Sequence, residues 1–514
     1  MSLALPDPPE KLRAGFLALT TLEDVAQLLD VDYKHLIYYL YIVRPPERYT
    51  CFTIRKRSGG ERRICAPATA LKIVQAKLNQ VLQAVYKAKP SVHGFAIGKS
   101  IVSNANMHSR KRYVLNVDLE NFFPSINFGR VRGMFMGPPY KLNASVATVL
   151  AQICCFENQL PQGAPTSPVA SNMICAKLDS QLQRLAQSNR CTYTRYADDL
   201  TFSTSMRSFP EALATALSGP HGERVKLGAP LLQAIVANGF EVNTAKVRLL
   251  TRNHRQEVTG LTTNQVPNVR RRYVRQIRAM LHAWRKFGLE AAEQEFFRQY
   301  DKKSRSPYKS APSFRDVVNG KTEYLGMVKG KTDPLYLKLR QQLRLAELLE
   351  QFEAQARSND PQRRGFQLEA LLNSMFRYFG IEVFKSFRRN DGAEQIDGAF
   401  KLEDCCYLVE CRWRCLLAGI AETDGLLGKV NRSGPQTMGM FVSINGWSHN
   451  VPLLLKQNPE KRIFLMDGAD VEAVLRRRID LGELIKKKVD RLNLNAEPFY
   501  SASDILADSG RKTE

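Results

Sequence analysis

No stretch of this chain approaches the roughly 18 consecutive apolar residues that a membrane-crossing helix requires. Its opening residues, Met1 to Asp7, lack the basic and apolar regions of a secretory leader. Both absences point to a soluble, cytoplasmic protein. Cysteine is sparse: ten in 514 residues are too few for a disulfide scaffold. Cys405, Cys406, Cys411 and Cys415 cluster, but no CxxC pair occurs among them, and Cys406 and Cys411 flank an apolar, strand-like run. Reduced core thiols are therefore expected in preference to zinc. Internal repeats and low-complexity tracts are missing too. Acidic residues are outnumbered, 50 against 75 lysines and arginines, for a formal net charge of +25. A compact protein with that charge repels itself unless a polyanion offsets it, and basic side chains gain by displacing the counterions condensed on nucleic acid.

What is present reads as a folded chain of several domains. Hydrophobic content of 44% with 24% charged residues argues against wholesale disorder, and 514 residues exceed what one core serves. Residues 8–45 read as helical, with Val25, Leu28, Leu29, Leu36 and Leu40 at helical spacing, ended by Pro45-Pro46. Strands are expected at Cys51 to Arg55 and Arg62 to Cys65 around the turn Ser58-Gly59-Gly60, followed by mixed α/β order to about residue 260. Beyond Val266 a helix places Arg271, Arg275, Arg278, His282 and Arg285 on one face and Val274, Ile277 and Leu281 on another. A face so nearly pure in positive charge reads as a phosphate-tracking surface rather than a merely solvated one. A basic loop over 302–312, a helix over 334–356, a break at Ser358 to Pro361 and an amphipathic helix from Leu368 to Phe379 follow. The expected boundaries are 1–48, 49–262, 263–357 and 362–514.

Tyr196-Ala197-Asp198-Asp199 lies between two strand-like runs. Paired acids at a hairpin turn are costly unless cations neutralise them, although Asp-Asp alone often only makes a turn. Upstream, an apolar strand, Val114 to Val117, ends at Asp118. Three carboxylates on two adjacent strands can hold two Mg²⁺ ions about 4 Å apart for in-line phosphoryl transfer. From about 50 to 262 the chain resembles the fingers and palm of reverse transcriptases, with the blocks in that family's order. The resemblance makes Asp118, Asp198 and Asp199 the catalytic, metal-holding acids, and Lys246 a proton donor to pyrophosphate. It puts Lys56 and Arg63 on the incoming dNTP and makes Phe123 the bulky residue that excludes a ribose 2′-hydroxyl. Leu160 to Pro168 matches the motif under the templating base pair, with Gln162 reaching sugar or phosphate and Gly163 allowing close backbone approach. The implied fold is a multidomain α/β right-hand polymerase with fingers, palm and helical thumb.

Asn104-Ala105-Asn106-Met107-His108 resembles the NAxxH string of retron reverse transcriptases, and Val258-Thr259-Gly260 resembles their VTG string; Val92-His93-Gly94-Phe95 suits the same group. Retron membership implies a structured noncoding RNA as both template and primer, synthesis from a guanosine 2′-hydroxyl, and a branched RNA–DNA product. Asn104, His108, Arg271, Arg275 and Arg278 are then RNA-contact candidates, recognising shape and 2′-hydroxyls. A role in antiphage defence follows from the same resemblance, and a homo-oligomer is left open. A group II intron-like or diversity-generating enzyme is the other polymerase reading, and an RNA- and DNA-bound scaffold that keeps the C-terminal region silent is a third.

From about 362 the chain resembles the restriction-endonuclease-like fold of the PD-(D/E)xK class. Glu369 lies on an opening helix, Gln395-Ile396-Asp397-Gly398 precedes a strand, and Glu410 and Arg412 share a face of the next strand by alternation. A further core strand is expected within Gly439 to Gly446. The resemblance implies a small α/β domain in which an Asp and a Glu hold one Mg²⁺. Arg412 stands where that class has lysine, and a guanidinium is no conservative replacement. Cutting could be rescued by Gln395 or another residue, or the module could bind without cutting.

Overall fold

The computed structural model describes residues 4–55, 59–219, 222–300, 312–357, 361–389, 394–414, 416–458, 460 and 462–511. Lys56, Ser58, nearly all of the expected basic loop at 302–312, most of the break at 358–361 and Cys415 lie outside the described residues. Two compact units form, residues 1–270 and 271–514.

The first unit opens with helices α1 (Pro9–Leu17), α2 (Leu22–Leu28), α3 (Tyr33–Ile37) and α4 (Pro45–Arg48). Side chains set the breaks: Thr21 and Asp24 cap α2 reciprocally, and Asp32 accepts from the His35 amide at the start of α3. Leu12, Phe16, Val25 and Leu29 are buried in the same core as Leu115, Val117 and Leu200, so this segment is integral to the unit. Strands β1 (Tyr49–Arg55) and β2 (Glu61–Pro67) form an antiparallel hairpin. Cys51 lies directly opposite Cys65, and the two are joined as a disulfide. No sequence pattern marks this pair, because only the register of the hairpin brings the two thiols together. Helices α5 (Thr69–Val85) and α6 (Ile101–Met107) lead to β3 (Tyr113–Glu120); α7 (Phe128–Met136), α8 (Ala144–Cys154), α9 (Ser167–Ile174) and α10 (Ala176–Ser188) precede β4 (Thr192–Tyr196) and β5 (Asp199–Thr204). The hairpin β6 (Ala214–Gly219) and β7 (Gly222–Leu227), helix α11 (Ala229–Ala237), and short strands β8 (Glu241–Val242), β9 (Arg248–Thr251), β10 (Glu257–Val258) and β11 (Leu261–Thr262) complete the unit. The palm sheet runs β4-β5-β3-β8, with β9 also on β3. Along β3 the buried Leu115, Val117 and Leu119 face the core. Alternation leaves Asn116 and Asp118 on the other face.

The second unit begins with α12 (Arg271–Phe287), α13 (Leu289–Tyr300), α14 (Phe314–Lys329) and α15 (Pro334–Ala356), the last capped by Asp333 with proline at its first position. Then come α16 (Pro361–Tyr378), β12 (Glu382–Arg389), β13 (Glu394–Leu402), β14 (Cys405–Arg412), α17 (Ile420–Asn431), β15 (Thr437–Ser443), α18 (Asn450–Gln457), β16 (Ile463–Asp467), α19 (Gly468–Leu475), α20 (Leu481–Asn495) and α21 (Ala502–Arg511). The sheet order is β12-β13-β14-β15-β16, antiparallel as far as β14 and parallel beyond it. The boundary expected after 357 does not separate two cores. Leu345, Leu348, Leu349 and Phe352 of α15 belong to the same buried cluster as Leu368, Met375 and the strands, and Phe352 packs on Trp413 with ring centroids 5.2 Å apart.

Candidate active site

Tyr196 pairs with Asp199 across β4 and β5, leaving Ala197 and Asp198 as the turn, with Ala197 in left-handed backbone at φ 57°. On β3, Asp118 lies directly opposite Asp199, and the Leu119 amide donates to the Asp198 carbonyl at 3.0 Å. The three acids expected from the sequence therefore converge at one end of the palm sheet. Burial, then Asp198 and Asp118, push the Asp199 carboxyl up to about 7, and burial also raises Asp198. Asp199 is nonetheless exposed at the edge of the cleft, so its neighbours' charge matters there beside desolvation. Lys246 answers part of that charge, its Nζ donating to both carboxylate oxygens of Asp118 at 2.9 and 2.8 Å. Clustered carboxylate oxygens that attract a cation are the donor set Mg²⁺ takes, so these residues fit the expected ions.

The turn rests on a buried network. Arg195 and Asp179, both fully buried, form a two-pronged ion pair at 2.8 Å, and the Tyr193 hydroxyl donates to Asp179 at 2.8 Å. Arg195 also donates to Asn172 at 3.0 Å, and Asn172 to the Gly94 carbonyl at 2.9 Å. A Cβ on Gly94 would lie 2.4 Å from the Ala197 nitrogen. The Val92 to Phe95 string is thus the floor beneath the catalytic turn.

A cavity of about 970 Å³ opens before the acids, lined by Asp118, Asp198, Phe123, Gln162, Lys246 and Arg62. Phe123 faces it, 6.2 Å from Phe95. Arg63 is a correction. It points away from this cavity and makes a two-pronged ion pair with Glu157, one contact at 3.0 Å, because alternation along β2 sends Arg62 and Ile64 inward and Arg63 outward. Arg62 is the β2 arginine that lines the cavity, which the sequence did not reveal. Gly163, with φ 124°, lines this cavity and also packs on the hairpin: a Cβ there would meet the Cys65 carbonyl oxygen at 2.9 Å, and the Cys65 amide donates to the Gln162 carbonyl at 2.8 Å. It lets the loop lie against the fingers hairpin.

Asn104 and His108 are also corrected. Both are fully buried, so neither side chain meets RNA from this position. His108 bridges Ser203 and Thr194, each at 2.7 Å, and burial pushes its pKa down to about 3. The second retron-like string meets the helix that carries the first: the Thr259 hydroxyl donates to the Ile101 carbonyl at 3.1 Å, which fixes the start of α6 against the β10–β11 turn.

The family described as "Reverse transcriptase (RNA-dependent DNA polymerase)" matches residues 54–263. Retron Mx65 reverse transcriptase of Myxococcus xanthus is 38% identical over 299 residues, 54% of this chain and 66% of that protein. Retron Ec86 reverse transcriptase of Escherichia coli is 33% identical over 273 residues, 52% of this chain and 79% of that protein. This chain belongs to the retron reverse transcriptases. Retron Mx162 reverse transcriptase of Myxococcus xanthus is 33% identical, over 57% of this chain and 65% of that protein; the chain thus spans about two thirds of the length of both Myxococcus relatives. A solved Candida albicans telomerase aligns at a TM-score of 0.32 and 11% identity over 65% of this chain and 64% of that one, a loose likeness. As in its retron relatives, the domain over 54–263 is an RNA-directed DNA polymerase domain.

In this retron chain the C-terminal acids are assembled differently. Arg412 donates to Asp397 at 3.2 Å and to Glu410. Lys429 of α17, unforeseen from the sequence, donates to Glu410 at 2.8 Å. Gln395 is exposed two residues before Asp397 and makes no hydrogen bond to the acids among the described residues. Burial and Glu410 raise the Asp397 carboxyl; burial and Asp397 raise that of Glu369. Donor atoms of Glu369, Asp397 and Cys411 come within 4.8 Å of one another. Burial pushes the Cys411 thiol well up, and a protonated thiol is a poor partner for a hard ion. With Asp397 and Glu410 spanned by a guanidinium, these residues do not fit the expected Mg²⁺ as arranged.

Proposed function

We propose that this chain copies a structured noncoding RNA into short single-stranded DNA, starting from a guanosine 2′-hydroxyl of that RNA, as part of an antiphage system. The observation that carries the reading is the convergence of Asp118, Asp198 and Asp199 beside a cavity walled by Phe123, in a chain of retron kinship. Mg²⁺ ions held by the three acids would activate the attacking hydroxyl and neutralise the triphosphate. Phe123 stands against a ribose 2′-hydroxyl, and Gln162 reaches the sugar or phosphate. Lys246, released from Asp118, is placed to protonate departing pyrophosphate, and Arg62 faces the triphosphate from the fingers. Arg271, Arg275 and Arg278 remain exposed on α12 and supply phosphate contacts to the RNA. The test is to purify the protein from its native locus and treat its nucleic acid with RNase and debranching enzyme, with Asp198→Ala/Asp199→Ala as control. A 2′-branched DNA absent from the control supports the reading; linear cDNA primed from a 3′ end overturns branch priming.

The strand order of the C-terminal sheet, three antiparallel strands followed by parallel ones, supports a restriction-endonuclease-like module. We read it as binding rather than cutting, because Arg412 takes the place of positive charge between Asp397 and Glu410. With the polymerase acids neutralised (Asp118→Asn/Asp198→Asn/Asp199→Asn), calorimetric Mn²⁺ titration is expected to show no site, and Arg412→Lys to create one. Divalent-dependent DNA cleavage lost in Glu410→Gln would overturn the binding-only reading.

A further inference from the structure

The second unit carries a cavity of about 390 Å³ that belongs to neither catalytic constellation. Arg278 and Arg285 of α12 line it with Lys338 of α15 and Arg477, which follows α19. Among the described residues none of these four cations forms an ion pair, and no carboxylate is among the lining residues. Asp480, close by in sequence, is engaged in capping α20 through the Gly482 and Glu483 amides. The contrast with Arg476 is direct. That side chain is tied into the fold, pairing with Glu472 and Glu353 and donating to the Arg285 carbonyl at 3.2 Å. Arg477 instead ends the helix in left-handed backbone, φ 55°, a conformation that disfavours any side chain bulkier than glycine's. An arginine at such a position, unpaired beside three other cations, is electrostatically unfavourable without an anion.

The cavity is not simply basic. Leu281, Leu339 and Leu345 give it an apolar wall, and Gln342 adds an amide that can both donate and accept. Its volume lies in the range of small-molecule sites, about 300–1,000 Å³, and is too small for a duplex to enter. We propose that it takes a nucleotide unit bearing clustered phosphates, with the phosphates among Arg278, Arg285, Lys338 and Arg477 and the base against the leucines. The same chemistry is presented by a free nucleoside triphosphate and by a segment of a single nucleic-acid strand. The site is independent of the nuclease-like reading, since none of the Asp397 and Glu410 surroundings takes part.

The experiment uses the full chain in EDTA, so that triphosphate binding which needs divalent ions at the polymerase acids does not contribute. The probes are N-methylanthraniloyl-ATP, followed by its fluorescence, and fluorescein-labelled hexathymidylate, followed by anisotropy. Wild type is expected to bind at least one probe, and Lys338→Glu/Arg477→Glu to weaken that binding by about tenfold or more. Gln342→Trp fills the cavity without changing charge and is expected to weaken it as well. Binding of the triphosphate alone identifies a free nucleotide. Binding of the hexamer identifies a strand, and the charge-reversed variant should then show a salt slope shallower by about 0.7 for each phosphate it no longer neutralises. Absence of binding by wild type, or equal binding by wild type and both variants, overturns the proposal.

Discussion

His108 and Ser203 share a hydrogen bond of 2.7 Å within the palm, Nδ1 to Oγ, while the other ring nitrogen reaches Thr194 Oγ1 at the same distance. Thr194 is on β4 and Ser203 on β5, so one imidazole ties together the two strands that present Asp198 and Asp199. With its pKa held near 3 by burial, the ring stays neutral, one nitrogen donating and the other accepting. His108→Ala loses both bonds and leaves a void; a stability loss of about 2–4 kcal/mol is expected, with primer extension falling alongside. A neutral buried histidine also makes the folded state less stable as pH drops from about 6.5 toward 3, a component that His108→Gln should remove. Melting curves and extension on an external primer–template check both. Unchanged melting with RNA affinity alone lost would return His108 to a recognition role.

Gly94→Ala should be far more damaging than its size implies. The added Cβ would come within 2.4 Å of the Ala197 nitrogen and 2.9 Å of the Tyr196 carbonyl carbon, and both obstacles are backbone. Displacing the turn moves Asp198, and misplacement of about 1 Å can cost 10²-fold in rate. Steady-state kcat should fall by about that factor with RNA binding retained. A near-wild-type kcat would mean that the turn yields freely.

The two fingers arginines should separate cleanly in kinetics. Arg62→Ala is expected to raise KM for dNTP, because Arg62 faces the catalytic cavity. Arg63→Ala should leave KM unaltered and remove only its exposed pairing with Glu157, a loss of about 0–1 kcal/mol. The reverse result would place Arg63 on the nucleotide.

Asp199 links metal, proton and stability. Its folded pKa of about 7 lies above the ordinary aspartate value of 3.8, so the fold favours the protonated carboxyl. The metal-free protein should therefore lose stability as pH rises from about 4 through 7. Asp199→Asn should raise the metal-free Tm at pH 8 while abolishing synthesis; the gain is about 1 kcal/mol, since solvent at the cleft edge screens the repulsion. Wild-type activity should rise through neutrality, and more Mg²⁺ should move the midpoint to lower pH because metal and proton compete. A midpoint insensitive to Mg²⁺ would dissociate the titration from Asp199.

The sequence made the convergence of the three acids legible because each sits at a fixed place in a strand or turn, and adjacent strands brought Asp118 opposite Asp199 as the pattern required. What it withheld depends on register and depth. Arg63 and Arg62 look alike in a string, and only pairing with β1 decides which lines the cavity. Asn104 and His108 were visible as a motif, but burial reassigns His108 from contact to bracing. Cys51 and Cys65, fourteen positions apart, meet only through the hairpin. Lys429 and Arg195–Asp179 join elements distant in the chain, and no local pattern marks them.

Phe352 packed on Trp413, with Leu345, Leu348 and Leu349 beside it, has a consequence for how such a gene can change. A stop codon at the apparent seam after 357 would strip α15 of its hydrophobic wall and turn four large side chains toward water, each worth about 1.5–3 kcal/mol in burial. A break near 270 falls between the two units instead. Exchange of the C-terminal sheet among relatives must then carry helix α15 with it, so the hereditary unit begins before the seam at 357.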